Sequence, residues 1–173
     1  MPVNVRRMLL AHVSAVKGQE AAGRDDTGVG DEHHPASITN AQWRAHAGAL
    51  PATHILLVNP LVETPTPAVF KARRGDFSAP ARWDQPPATT RDLATYLTSR
   101  RNDLTDPAII VAPVVADVLR AIGGTEECLL ARLSGSGATC FGLYETAAAA
   151  EQARRQIVAR HPTWWTVSAA LAG

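Results

Sequence analysis

The sequence is poor in cysteine and has no long apolar run. Its 173 residues include only Cys128 and Cys140, too few for a disulfide framework or a cysteine-based metal site. No stretch approaches the roughly 20 apolar residues of a membrane-spanning helix. The short apolar run at residues 8–10 is interrupted by His12 too soon to be a signal peptide. We therefore expect a protein of the reducing cytoplasm that does not bind membranes.

An excess of charge of one sign is also missing. Lysine and arginine number 17 and aspartate and glutamate 16, so the formal net charge is +1. This balance gives no electrostatic reason to expect nucleic acid or an anionic membrane as a partner. The hydrophobic content of 46% is instead typical of a globular domain with its own core.

Large apolar residues are nearly missing from residues 18–35, which are dense in glycine, acidic residues and histidine. Such a segment buries too little surface to offset its ordering entropy. We predict a poorly ordered N-terminal arm at residues 1–49 and one domain at residues 50–173. The adjacent His33 and His34 in this arm lack ligand spacing on rigid elements, so no metal site is predicted.

The remaining sequence alternates strand and helix patterns. Predicted strands cover residues 53–59, 128–133, 138–144 and 164–171. Predicted helices begin near Thr66-Pro67, Thr90, Asp106-Pro107 and Thr146. Pro113 interrupts the third helix, so a kink or two short helices are expected. The order favours an α+β fold, a two-layer sandwich of a mostly antiparallel sheet with its helices on one face.

The sharpest local signal is the run Ser134-Gly135-Ser136-Gly137 between the second and third strands. Its glycines permit positive φ and let a phosphate approach the main chain without meeting a Cβ. Consecutive N–H groups in such a turn can form an anion-binding concavity. A plain glycine hairpin explains the same residues. The run is not a Walker loop, because no Gly-Lys-Ser/Thr follows it.

Four segments of the chain resemble the GHMP kinases in order and spacing. The string Leu-Ser-Gly-Ser-Gly-Ala-Thr-Cys-Phe at 133–141 is similar to their third signature motif, especially in the diphosphocytidyl-methylerythritol kinases. The strand at 55–60 followed by Thr-Pro-Ala-Val-Phe at 66–70 resembles the strand, loop and Thr-Pro-x-x-Phe segment of that family. Arg-Asn-Asp-Leu at 101–104 and His-Pro-Thr-Trp-Trp at 161–165 resemble two further family elements.

The resemblance implies a kinase that moves the γ-phosphate of ATP, with Mg²⁺, to the 2-hydroxyl of a cytidyl-linked methylerythritol. This reaction belongs to the non-mevalonate isoprenoid pathway. In phosphoryl transfer the protein supplies mainly positioning and charge stabilisation. By the same resemblance, the phosphate side of the cleft would be lined by Ser134, Gly135, Ser136, Gly137 and Ala138.

The resemblance also assigns residues to the substrate side. Phe70 would stack on the cytosine ring, and Thr66 would be a nearby polar contact. Both have a structural alternative, since Phe70 on a short apolar helix can be core and Thr66 before a proline can be a helix cap. Asn102 and Asp103 are expected behind the site, where they can equally cap a helix.

The sequence departs from the family on its N-terminal side. It has no lysine-bearing first strand, no loop of the type Gly-Leu-Gly-Gly-Gly-Ser-Ser-Asp and no Gly-Ala-Asp-Val-Pro element with its basic aspartate. We expect a truncated or mis-started copy with impaired activity, since such groups act as a unit. No catalytic residue is therefore assigned, and this chain alone need not bind ATP. A non-catalytic module for a cytidyl ligand or a partner chain, or an inactive fragment, remains an alternative.

Loss of an ATP-binding half would uncover apolar surface, and we predict self-association through that face. The apparent mass of the purified chain should then rise with concentration in sedimentation velocity, and the chain should bind a hydrophobic dye. A monodisperse monomer that does not increase the fluorescence of the dye would contradict this prediction.

Overall fold

The computed structural model describes residues 50–78 and 85–171. The predicted N-terminal arm, with His33 and His34, lies outside the described residues. Within the two described ranges the chain forms four strands and five helices, none of them long and apolar enough to cross a membrane. In chain order they are β1 (Thr53–Asn59), α1 (Thr66–Ala72), α2 (Thr90–Thr98), α3 (Thr105–Val111), α4 (Val114–Gly123), β2 (Leu130–Leu133), β3 (Cys140–Tyr144), α5 (Ala147–Arg160) and β4 (Trp165–Leu171).

The four strands form one sheet in the order β2-β3-β1-β4, and each neighbouring pair is antiparallel. The predicted α+β class and antiparallel sheet are confirmed. In the register, Cys140 lies opposite both Val58 and Leu133. The end of β1, the end of β2 and the start of β3 therefore meet at one end of the sheet. The loops at 60–65 and 134–139 leave the sheet side by side at that end.

The sheet buries apolar side chains on both faces. On one face Leu56 and Val58 join a core with residues of α1, α3, α4 and α5. On the other face Ile55 and Leu57 join a smaller cluster that includes Leu93 of α2. The expectation that all helices lie on one face is therefore wrong for α2. The physical reason is the continuous apolar run of β1, which leaves a second face that also has to be removed from water.

The second face is completed by side chains of β3 and α2. Phe141 and Leu143 point to this side and pack in the same cluster as Leu93 and Leu97. The helix that covers them starts at a capping box, in which the Thr89 side chain accepts from the backbone of Asp92 and the Asp92 side chain accepts in return.

Helix boundaries follow the sequence signals except at the two starts marked by Thr66-Pro67 and Asp106-Pro107, where the N-caps are Pro65 and Leu104. Pro113 does divide the predicted third helix, because α3 ends at Val111 and α4 begins at Val114. Asp106, predicted as a cap, lies inside the first turn of α3, and the N-cap is Leu104. Thr146 caps α5 as predicted, and its hydroxyl accepts from the N–H of Ala149 at 3.1 Å.

The two thiols are buried to different degrees. Burial raises the pKa of the Cys140 thiol to about 12 and raises the pKa of Cys128 as well, so both stay protonated near neutral pH. Neither forms a disulfide. Protonated thiols that are buried in this way are poor nucleophiles.

Exposed apolar side chains on the described residues are few. Leu61 and Ile110 are each 69% exposed, Val62 is 40% exposed and Trp165 is 37% exposed. They lie on the loop after β1, on α3 and on β4. Single exposed apolar residues are ordinary on protein surfaces, so self-association through an uncovered face stays a prediction.

Close packing of α4 on β3 makes a prediction about Gly142. A Cβ at this position would stand 2.6 Å from Cγ2 of Ile122 and 3.0 Å from the ring of Tyr144. We expect Gly142→Ala to lower the free energy of unfolding in urea by about 1–3 kcal/mol. Gly123→Ala is the matched control, because its Cβ would lie 3.7 Å from Cβ of Ala131, an ordinary contact. Equal stability of the two variants would contradict this packing.

Candidate functional site

The glycine loop, residues 134–139, is a tight turn closed by its own backbone. The N–H of Ser134 donates to the carbonyl of Thr139 at 2.9 Å, and the N–H of Gly137 donates to the carbonyl of Ser134 at 3.0 Å. Gly135 has φ +56° and Gly137 has φ +95°. The positive φ expected from the two glycines is therefore used in this loop.

Asn102 is hydrogen-bonded to the backbone at the start of the glycine loop. Its Nδ2 donates to the carbonyl of Gly135 at 2.8 Å and to the carbonyl of Leu133 at 3.2 Å. Its Oδ1 accepts from the N–H of Leu104 at 3.0 Å, just before α3. One side chain thus contacts both the glycine loop and the turn that precedes α3.

Asp103 is an anchor for the chain that follows α1. It accepts from the N–H and the hydroxyl of Ser78 at 2.8 and 2.6 Å, and from Nε of Arg101 at 2.7 Å. Burial raises the pKa of Asp103, but the hydrogen bonds from Ser78 and the interaction with Arg101 outweigh it and hold the pKa below its usual value. A carboxylate that is so well matched by donors is a poor proton acceptor.

Thr66 contacts the glycine loop and does not cap α1. The N-cap of α1 is Pro65, and no side chain caps this helix. The hydroxyl of Thr66 shares a hydrogen bond of 2.8 Å with the hydroxyl of Ser136. The helix-cap interpretation of Thr66 is therefore wrong, because its oxygen is turned towards the loop.

Phe70 lies one turn after Thr66 on α1. Residues four apart share a helix face, so Phe70 follows Thr66 on the side of the glycine loop. The helix is fixed by Val69, which is fully buried. Phe70 packs against the larger core but remains partly exposed. Phe70 is thus partly core and partly accessible to solvent.

Asn59 and Thr64, which belong to no motif that predicted a role for them, also lie beside the glycine loop. Nδ2 of Asn59 donates to Oγ1 of Thr139 at 2.8 Å. Oγ1 of Thr64 lies 3.6 Å from the place where a Cβ on Gly137 would stand. One signal for them was present: the Asn-Pro and Thr-Pro pairs delimit a short loop directly after β1.

A separate cleft of about 220 Å³ lies between the end of α1 and the first turn of α3. Asn102 and Asp103 line it together with Arg73, Arg74 and Arg101, whereas Thr66, Phe70 and Ser136 do not. Its guanidinium groups already have partners in the fold. Arg101 pairs with Asp103, Arg73 lies 3.6 Å over the ring of Phe77, and Arg74 donates to carbonyls at the end of α1.

The loop geometry predicts different costs for its two glycines. A Cβ at Gly135 would meet nothing within 4 Å, whereas one at Gly137 would lie 3.1 Å from Cδ1 of Leu133. Gly135→Ala should therefore lose about 1 kcal/mol of stability through its left-handed φ alone. Gly137→Ala should lose about 2–3 kcal/mol, because strain and contact add. Thermal and urea denaturation measure both, and an equal loss would contradict the loop geometry.

Both the sequence and the fold match known proteins. Residues 88–162 match the family model for the C-terminal part of the GHMP kinases. The chain is 54% identical over 125 residues to the 4-diphosphocytidyl-2-C-methyl-D-erythritol kinase of Paramagnetospirillum magneticum, a match that covers 72% of this chain and 44% of the relative. It is 50% identical over 123 residues to the kinase of the same name from Dinoroseobacter shibae, covering 70% and 43%.

The structural match agrees with the sequence matches. A crystal structure of 4-(cytidine 5'-diphospho)-2C-methyl-D-erythritol kinase superimposes with a TM-score of 0.51 at 26% identity, over 72% of this chain and 45% of that chain. The chain thus spans less than half the length of these relatives.

Proposed function

This chain contains a GHMP kinase C-terminal domain, and we propose that it forms the substrate side of a kinase for 4-diphosphocytidyl-2-C-methyl-D-erythritol. The reaction is transfer of the γ-phosphate of ATP to the 2-hydroxyl of that substrate. The relatives that carry this name are more than twice as long as the matched part. The proposal therefore concerns how this domain binds and orients the substrate.

The observation that carries the proposal is the hydrogen bond between Thr66 and Ser136. The two residues are 70 positions apart, and each belongs to a segment singled out separately in the sequence. Phe70 lies one turn further along α1, about 6 Å from Thr66 along the helix axis. A cytidine ring on Phe70 could thus carry its diphosphate towards the glycine loop.

The glycine loop and its neighbours offer neutral hydrogen-bond donors to such a diphosphate. These donors carry no formal charge: the hydroxyls of Thr64 and Ser134, one of the two paired hydroxyls of Thr66 and Ser136, and the turn N–H groups other than those of Ser134 and Gly137. Phosphoryl transfer also needs charge neutralisation, which bound Mg²⁺ supplies. Because Mg²⁺ is held mainly by substrate phosphates and water with few carboxylates, we propose that it enters with ATP.

The test is a calorimetric titration of the 173-residue chain with the cytidyl-erythritol substrate and, separately, with Mg-ATP. We expect the cytidyl ligand to bind. Phe70→Leu should weaken its binding roughly tenfold, since base stacking is worth about 1–3 kcal/mol. Phe70→Tyr retains the ring and is the matched control, with thermal denaturation of both variants to check the core.

Formation of phosphorylated product with Mg-ATP separates the two candidate functions. Product formation would support the kinase. Binding without product would support a module that holds the cytidyl ligand without catalysis, through the same residues. A folded chain that binds no cytidyl ligand, or a leucine variant that binds as tightly as the parent, contradicts the proposed site.

A further inference from the structure

The side chain of Asn59 connects the two loops that border the proposed site. It is the last residue of β1, and its Oδ1 accepts from the N–H of Leu61 at 2.7 Å. Its Nδ2 donates to Oγ1 of Thr139, at the exit of the glycine loop, at 2.8 Å. One amide therefore touches both the loop at 60–65 and the glycine loop.

The orientation of this amide follows from its partners. The N–H of Leu61 can only donate, so it must face the oxygen of Asn59 and not the amide nitrogen. The nitrogen then faces Thr139, whose hydroxyl has to accept. Because the amide satisfies one donor and one acceptor at fixed positions, it sets the spacing between the two loops.

The hydrogen bond from the N–H of Leu61 to Asn59 supports an unusual backbone conformation. The φ of Leu61 is +59°, the left-handed region that a leucine rarely adopts. The hydrogen bond from its N–H to Asn59 is a local compensation of the kind that stabilises such residues in place. Leu61 is also 69% exposed, so packing of its side chain contributes little to holding this conformation.

The side chain of Asn59 lies on the face of the sheet opposite α1. Side chains alternate along a strand, so Asn59 points to the same side as Ile55 and Leu57, the side covered by α2. Thr139 precedes Phe141 by two residues and shares that side. Phe70 belongs to the core of the other face. Asn59 is thus placed to act on the proposed ligand site without touching a ligand bound there.

We propose that Asn59 is a positioning residue that presets the distance between the loop at 60–65 and the glycine loop. It fixes one end of the 60–65 loop, while the bond between Thr66 and Ser136 fixes the other end. The inference rests on the proposed function, because the ligand considered is the diphosphocytidyl compound bound between Phe70 and the glycine loop. Its consequence is that ligand affinity depends on a side chain that does not contact the ligand.

The test uses three substitutions in the full 173-residue chain. Asn59→Leu removes both hydrogen bonds at similar size. Asn59→Asp retains the acceptor for Leu61 and can accept from the Thr139 hydroxyl, which turns from acceptor to donor. Thr139→Val removes only the bond between the two loops. Calorimetry with the cytidyl-erythritol substrate gives the affinities, and thermal denaturation gives the stabilities.

We expect Asn59→Leu and Thr139→Val to weaken ligand binding on the order of tenfold, since small misplacement of a positioned group is costly. A double variant that combines Asn59→Leu with Thr139→Val should lose little more affinity than either single variant, because both substitutions break the same connection. Asn59→Asp should bind within a few-fold of the parent. Parent-like binding by Asn59→Leu, or equal losses in Asn59→Leu and Asn59→Asp, would overturn the proposal.

Amide hydrogen exchange separates this inference from the proposed function. If the parent chain binds no cytidyl ligand, the proposed function fails, but the coupling of the loops can still be measured. Asn59→Leu should then speed exchange at Leu61 and also at Ser134 and Gly137 of the glycine loop, with the aspartate variant near the parent. Faster exchange confined to Leu61 would show that Asn59 does not couple the loops.

Discussion

The antiparallel pairing of β1 with β3 is the constraint on which the rest of the structure depends. It sets Val58 opposite Cys140, so the chain leaves β1 at the place where it enters β3. Two loops that are about 75 residues apart in sequence then start side by side. A shift of one residue in this register would exchange Leu56 and Val58 with Ile55 and Leu57 between the two cores, so close packing on both faces holds the register and with it the geometry of the loops.

Cores on both sides of the sheet make the end of the sheet a rigid support. Leu56, Val58 and Leu133 are buried on the side of α1 and α3, and Ile55, Leu57 and Phe141 are buried on the side of α2. The loops above them are held by side-chain hydrogen bonds from Asn59, Asn102 and Thr66. Polar contacts of this kind hold irregular backbone in one arrangement, which a site that works by positioning requires.

The residues around the proposed site fall into those that can contact a ligand and those that hold the fold. The glycine loop offers backbone and hydroxyl donors, and Phe70 offers an aromatic surface that is partly exposed. Asp103 accepts hydrogen bonds from Ser78 and Arg101, so its role is to stabilise the connection before α3. These features fit the proposed role of a surface that binds and orients a phosphate-bearing nucleotide ligand.

The sequence by itself determined the local elements, because their signals are local. The continuous apolar run of β1, the break at Pro113, the cap at Thr146 and the glycines at 135 and 137 each act within a few residues. Only the tertiary structure decided that α2 crosses to the second face and that Thr66 bonds to Ser136. It also decided that Asn59 reaches Thr139. These outcomes depend on strand register and on competition between helices for apolar surface, which couple residues far apart and leave no mark in a short window of sequence.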